Sequence, residues 1–412
     1  MAATGAVRAA AHLSIFVGVV AACVLLAGEA FAEPLATAAS TIEGPRLIQE
    51  EVRIPVPEGG YSIATTILRP EGAGPFGVVV LNHGVPGSAR ERLRESPAVD
   101  FNAAAPVFAR RGYVVVMPLR RGFGVTGGPF AEDAGPCRNP DYMRAEAAAS
   151  QDVMAAYEYA RALPYVDPNR MILAGQSAGG VVSMFAAGMY APKGLVAVLA
   201  FAAGRGGNPD IRPGTPCAVE PVARVFDVIG AKIAVPVLLH YAENDRYFGP
   251  ETTRLWYERF TAAGAKAQYV MQPAFGRDGH YLFADIVGVR YWLPAVEKFL
   301  EKHGVPFERL HAPAQPLLAK LPHVQSESCK SLYRVFLEAP APRAYAVSAN
   351  GRCGFAGAMD DAAHVALSEC RSVSGQACAL YAVDSEVVWK SDGQPTLTAA
   401  KPGDATAATG SR

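Results

Sequence analysis

Between residues 49 and 272, short runs of β-branched and other apolar residues alternate with longer Ala-rich stretches whose apolar positions recur at helical spacing. Runs without polar alternation, separated by enough chain for a crossover helix, are the pattern of a mostly parallel sheet buried on both faces. The runs at 52–55, 62–68, 77–82, 113–117, 171–174, 195–201, 236–241 and 267–271 are the predicted strands. Only a few residues around Glu58-Gly59-Gly60 separate the first two, which permits an antiparallel hairpin and no crossover. The expected fold class is therefore α/β: a mostly parallel twisted sheet with helices on both faces and an antiparallel N-terminal hairpin.

From about residue 311 the pattern breaks. Residues 311–325 are rich in Pro, Ala and Leu without a period and read as a linker, which sets the α/β domain at 33–310. Residues 326–390 then predict a small α+β module, with strands at 344–348 and 379–383 and a helix at 361–371. The polar, Ala/Thr/Gly-rich tail at 391–412 is expected to be disordered. At the other end, residues 1–32 read as a secretory signal peptide, with Arg8, an apolar stretch at 13–27 and the small-residue site Ala30-Phe31-Ala32. A membrane anchor is the competing reading, and Val20-Ala21-Ala22-Cys23 resembles a lipoprotein box in which Cys23 would carry lipid. No later segment is apolar for long enough to span a bilayer. The chain is expected in the periplasm or outside the cell.

Charge removes some functions. Lys+Arg and Asp+Glu number 38 each, so no net field draws the chain to nucleic acid or anionic lipid. Without Cys23, six cysteines remain, an even number in an exported chain, and none stands in the paired C-x-x-C that zinc binding would favour.

The candidate chemistry lies in the α/β region. Gly175-Gln176-Ser177-Ala178-Gly179 follows a predicted strand and precedes a helical stretch, so it fits G-x-S-x-G in letters and in context. A sharp strand-to-helix turn would lift Ser177 above the sheet, with small residues letting backbone approach it closely. A serine at its ordinary pKa needs a histidine base and a carboxylate to orient that histidine. In this architecture they follow the serine in the order acid, then histidine. The loop Ala242-Glu243-Asn244-Asp245 after the strand at 236–241 offers Asp245, with Glu243 as competitor. After the next strand comes His280, whereas His240 precedes the acid within an apolar run and reads as a core histidine. The N–H of Ala178 is expected to face a developing oxyanion. The loop Asn82-His83-Gly84-Val85-Pro86-Gly87 would supply a second donor: Val85, with Gly87 behind it, because Pro86 has no N–H. His83, Arg120 and Arg121 are candidate substrate contacts. The two arginines serve equally as ion-pair partners of Asp141, Glu146 or Asp152. Loops around 131–142 and 205–221 are expected to wall the pocket, and no metal or organic cofactor is called for.

With these residues in place the chain resembles the α/β-hydrolases, and specifically their dienelactone hydrolase and acyl-peptidase-like branch. The resemblance rests on Asn82-His83-Gly84, Arg121-Gly122-Phe123-Gly124 with Gly127-Gly128, Val166-Asp167-Pro168-Asn169-Arg170, the run from Gly175 to Gly180, Asp245, and Asp278-Gly279-His280, and it covers about residues 49 to 303. It implies hydrolysis of an ester, thioester, lactone or amide of a small acyl substrate through an acyl-enzyme. Ser177, Asp245 and His280 would form the triad. Dienelactone hydrolases proper use a cysteine nucleophile where this chain has Ser177, so their substrate does not carry over. Two rivals stand beside an esterase: a peptidase of the acyl-peptidase-like type, and a non-catalytic scaffold acting as a binding protein. Among the 15 connectivities that six cysteines allow, Cys370 with Cys378 is the easiest bridge and Cys329 with Cys353 follows. Cys137 and Cys217 then close a loop of about 80 residues, worth on the order of 4 kcal/mol in the chain-entropy picture.

Overall fold

The computed structural model describes residues 46–389 apart from 314–316, 318–320, 322–323 and 325. The expected signal peptide with Cys23, and the expected disordered tail, lie outside the described residues. Eight strands form one sheet: β1 (Leu47–Val56), β2 (Tyr61–Pro70), β3 (Phe76–Asn82), β4 (Tyr113–Leu119), β5 (Val166–Gln176), β6 (Leu195–Phe201), β7 (Val237–Ala242) and β8 (Ala267–Gln272). Their spatial order is β1-β2-β4-β3-β5-β6-β7-β8. β1 pairs antiparallel with β2 across a single 3-10 turn that Gly60 closes at φ +64°, and β2 pairs antiparallel with β4. All remaining neighbours are parallel.

Three short helices, α1 (Ala89–Arg92), α2 (Pro97–Asp100) and α3 (Ala105–Ala109), connect β3 to β4. The later crossovers carry α4 (Tyr142–Arg161), α5 (Ala178–Tyr190), α6 (Val219–Gly230) and α7 (Pro250–Ala262), and α8 (Val289–Lys302) follows β8. The period of two explains the unbroken apolar runs. Val78, Val80, Val114 and Val116 face the core shared with α4 to α7, while Val79, Leu81, Val115 and Met117 face the core shared with α3 and α8.

The C-terminal part has its own antiparallel sheet, of order β10-β9-β11-β12, from β9 (Arg343–Ser348), β10 (Cys353–Gly357), β11 (Cys378–Val383) and β12 (Glu386–Val387). One face, with Ala344, Ala346 and Ala356, packs on α10 (Ala362–Ser374). The other, with Tyr345, Val347, Phe355 and Tyr381, packs on α9 (Glu327–Glu338) and joins the core that contains Trp292 and Phe299 of α8. Leu317 and Val324, in the stretch expected as a linker, are buried in that same core. The composition changes at 311–325, but the packing is continuous, because the module's aromatic face and α9 share one core with α8 of the α/β body. Charged groups reinforce the junction: Glu338 accepts from Arg111 at 2.9 Å and from Arg309 at 2.9 Å, and its backbone carbonyl accepts from Arg110. Disulfides join Cys137 to Cys217, Cys329 to Cys353 and Cys370 to Cys378, the expected pairing.

Candidate active site

Ser177 occupies the single residue between β5 and α5, at φ 58° and ψ −126°. An L-residue at positive φ is strained by about 1–3 kcal/mol, so it persists only where its surroundings hold it. Its N–H donates to the Phe201 carbonyl at 2.9 Å, and its own carbonyl accepts from Gly180 at 3.0 Å. The glycines of the motif admit no side chain: a Cβ on Gly179 would lie 2.0 Å from the Asn82 carbonyl oxygen, and one on Gly175 2.3 Å from that of Gly179. Ala178 is the first residue of α5, so its N–H has no partner within the helix.

Asp245 lies in the loop after β7 and is 3% exposed. It accepts from the N–H groups of Tyr247 at 2.7 Å and Phe248 at 2.9 Å, and its other oxygen stands 3.0 Å from His280 Nδ1. The competitor Glu243 is exposed, so the structure selects Asp245 as the histidine's partner. His280 is fixed from every side. Its N–H donates to Asp278 at 3.0 Å, its carbonyl accepts from the Gln176 side chain at 2.6 Å, and Tyr247 stacks on its ring with centroids 4.0 Å apart. With Nδ1–H given to Asp245, Nε2 keeps its lone pair and can take a proton. His240 is buried, and burial pushes it down to about 4, so it is a neutral core residue.

Two cavities meet at Ser177. One, of about 510 Å³, runs between the loops at 130–137 and 204–217, with Arg205, Tyr142 and the Cys137–Cys217 bridge in its wall. The other, of about 330 Å³, lies on the His280 side and is lined by Glu95, Asp100 and Tyr281. Val85, Pro86, Gly87 and Tyr247 border both. A larger cavity, of about 1060 Å³, lies at the opposite end of the sheet and contains none of the candidate residues.

The sequence profile of the prolyl oligopeptidase family matches residues 99–201, which include β5, the Ser177 turn and α5. With this match on the serine-bearing segment and the strand order described above, the fold is decided. The chain has the α/β-hydrolase fold. Solved structures similar to it include a Klebsiella pneumoniae protein assigned to the dienelactone hydrolases (16% identity, 62% of this chain and 99% of that one, TM-score 0.43). An acetyl xylan esterase from Paenibacillus sp. R4 (17%, 62% and 89%, 0.43) and oligopeptidase B from Leishmania major (14%, 64% and 37%, 0.42) are also similar. No curated protein matches the sequence.

Within this hydrolase fold, the three expected substrate contacts stand elsewhere than in the open cleft. Arg120 is fully buried, pairs with Glu132 through two nitrogens, and lines neither cavity. It also donates to the Gly84 carbonyl at 3.3 Å, so it holds the loop that carries Val85. Arg121 lies over the Tyr61 ring at 4.6 Å, and its backbone N–H donates to Asp152 at 2.6 Å. His83 borders the smaller cavity but is 1% exposed: Nδ1–H donates to the Gly84 carbonyl at 2.8 Å, and Nε2 accepts from the Arg120 N–H at 3.2 Å. Burial and the neighbouring Arg120 hold it well below its ordinary pKa, hence neutral. The contacts these side chains make are to the protein itself, and the nitrogens left without a partner, Arg120 Nη1 and Arg121 Nε, are sealed from solvent rather than turned to a ligand. Sequence reasoning placed Glu132 and Arg205 only within loops expected to wall the pocket, where they stand, and passed over Tyr247. Only the position of Tyr247, two residues after Asp245, carried a usable signal.

Proposed function

We propose that this chain is an exported serine hydrolase that cleaves a carboxylic ester, or a related acyl bond, of a small-molecule substrate. The observation that carries the reading is the buried contact of His280 Nδ1 with Asp245 at 3.0 Å, opening on a cavity that also holds a serine strained to positive φ. Ser177 Oγ attacks the acyl carbon as its proton passes to His280 Nε2, and Asp245 stabilises the imidazolium. The N–H groups of Ala178 and Val85 receive the oxyanion. The C–O bond to the leaving group breaks as Nε2 returns the proton to that oxygen. Water then repeats the sequence on the acyl-enzyme and restores Ser177. The three disulfides support an oxidising compartment, periplasmic or extracellular. A peptidase is the second reading, favoured by the prolyl oligopeptidase profile match.

The test is hydrolysis of p-nitrophenyl acetate and butyrate by the non-reduced protein, beside Ser177→Ala and His280→Ala, with fluorophosphonate labelling of Ser177. Turnover lost in both variants is expected. An unlabelled, inert wild-type protein would sink the reading, and faster cleavage of an aminoacyl p-nitroanilide than of the esters would put the peptidase in its place.

A further inference from the structure

Arg205 follows β6 and stands in the wall of the 510 Å³ cavity, only 6% exposed. Its Nε donates to Glu146 and its Nη2 to Glu132 at 3.0 Å. The third nitrogen, Nη1, has no partner among the described residues, and it is not one of the unpartnered side-chain atoms sealed from solvent. A guanidinium gripped on two edges cannot swing away, so its free N–H groups are held toward a cavity that begins at the nucleophile. A charged donor that opens to solvent at a nearly buried site can exchange water for a ligand oxygen.

The surrounding charges narrow the ligand. Arg120 and Arg205 face Glu132 and Glu146, two of each sign, in one run of contacts, and the exposed Asp133 and Arg212 add one of each sign to the same wall. A carboxylate arriving at Nη1 would bring an unpaired negative charge beside Glu132, whereas a neutral oxygen accepts the same hydrogen bonds without one. We infer that Arg205 determines acyl specificity, selecting acyl groups that carry a neutral oxygen acceptor, a hydroxyl or an amide carbonyl, beyond the bond that is cleaved. This rests on the ester-hydrolase reading and adds the substrate class that the same site takes.

The experiment compares kcat/KM for p-nitrophenyl 3-hydroxybutyrate and N-acetylglycinate with the butyrate and pentanoate of matching size, and with the hemisuccinate. Each value is divided by the rate of hydroxide hydrolysis of the same ester. A charged donor meeting an acceptor predicts a preference of about tenfold or more for the oxygen-bearing acyl groups. Arg205→Lys keeps the charge that the two glutamates need but not the free guanidinium edge, so the ratio should collapse toward one. A wild-type ratio near one, a ratio that survives Arg205→Lys, or the hemisuccinate as best substrate each overturns the inference while leaving the hydrolase reading intact. Should the lysine variant fail to fold, Arg205→Gln takes its place with the same expected collapse, and a wild-type ratio near one overturns the inference without either variant. An inert protein with Ser177 unlabelled overturns both.

Discussion

Two clusters of buried arginine and glutamate lie at opposite ends of the large sheet, and they are built to different ends. Beside the cavity, Arg120, Glu132, Arg205 and Glu146 join segments of the α/β body; Arg120 Nη1 is sealed without a partner, but Arg205 Nη1 is left open to solvent. At the junction, Arg111 and Arg309 converge on Glu338 of α9, and the unpartnered Nε atoms of both are sealed away. Arg110 beside them is pushed down to about 10 by burial, with the nearby Arg309 adding to it. The same ion-pair chemistry thus presents a donor in one place and clamps two segments in the other. What separates the two is whether an unpartnered nitrogen meets a cavity.

The comparison breaks most severely if the clamp's far side is removed. A chain ended at residue 325 should give no folded, fluorophosphonate-labelled protein, because it uncovers the core around Trp292 and Phe299; a truncated chain with wild-type turnover would make the module an accessory. Next in size, Glu338→Ala strips Arg309 of its carboxylate and leaves Arg111 with Glu297 alone, and should cost about 3 kcal/mol in denaturant unfolding. Ser177 labelling should persist below the midpoint, and a loss under about 1 kcal/mol would remove the clamp from the account. Glu132→Gln should be milder, about 1–3 kcal/mol, since the amide keeps some of the hydrogen bonds. It sharpens the contrast through kcat: loosening Arg120 leaves the Gly84 carbonyl to His83 alone and should lower kcat for butyrate, while an unchanged kcat would assign the cavity cluster to stability alone.

The remaining contrast concerns pH. Burial, with Asp100 beside it, raises Glu95 from 4.5 to about 8 in the folded chain. The folded form therefore holds a proton that the unfolded chain has released, so this carboxyl withdraws stability as pH rises from 4.5 and stops doing so above about 8. Glu95→Gln does not titrate, and its Tm should fall less than that of the wild type between pH values of about 5 and about 8. Parallel pH curves for the two proteins would remove Glu95 as the source.

How much of this was legible follows from range. The central strands β3 to β7 read out because burial on both faces writes continuous apolar runs, and Ser177 read out because its turn needs small residues at fixed offsets. Asp245 and His280 followed from chain order and strand ends. β10 went unread because Cys353-Gly354-Phe355-Ala356-Gly357 carries two glycines in five residues, which weaken any strand signal. α9 left a trace in Ser326, which caps it by accepting from the Cys329 N–H at 3.1 Å, but its apolar face was masked by the change of texture before it. The role of Arg205 was out of reach: its partners stand 59 and 73 residues away, and ion pairs at such distances impose no period on a sequence.

The continuous core also sets an order of events. Synthesis delivers Ser177, Asp245 and His280 well before residues 329–382, which complete the packing behind α8. A growing chain thus carries every reactive group of the site while the support beneath it is still unfinished. Its assembly is decided last, by a segment whose described residues line neither cavity at Ser177.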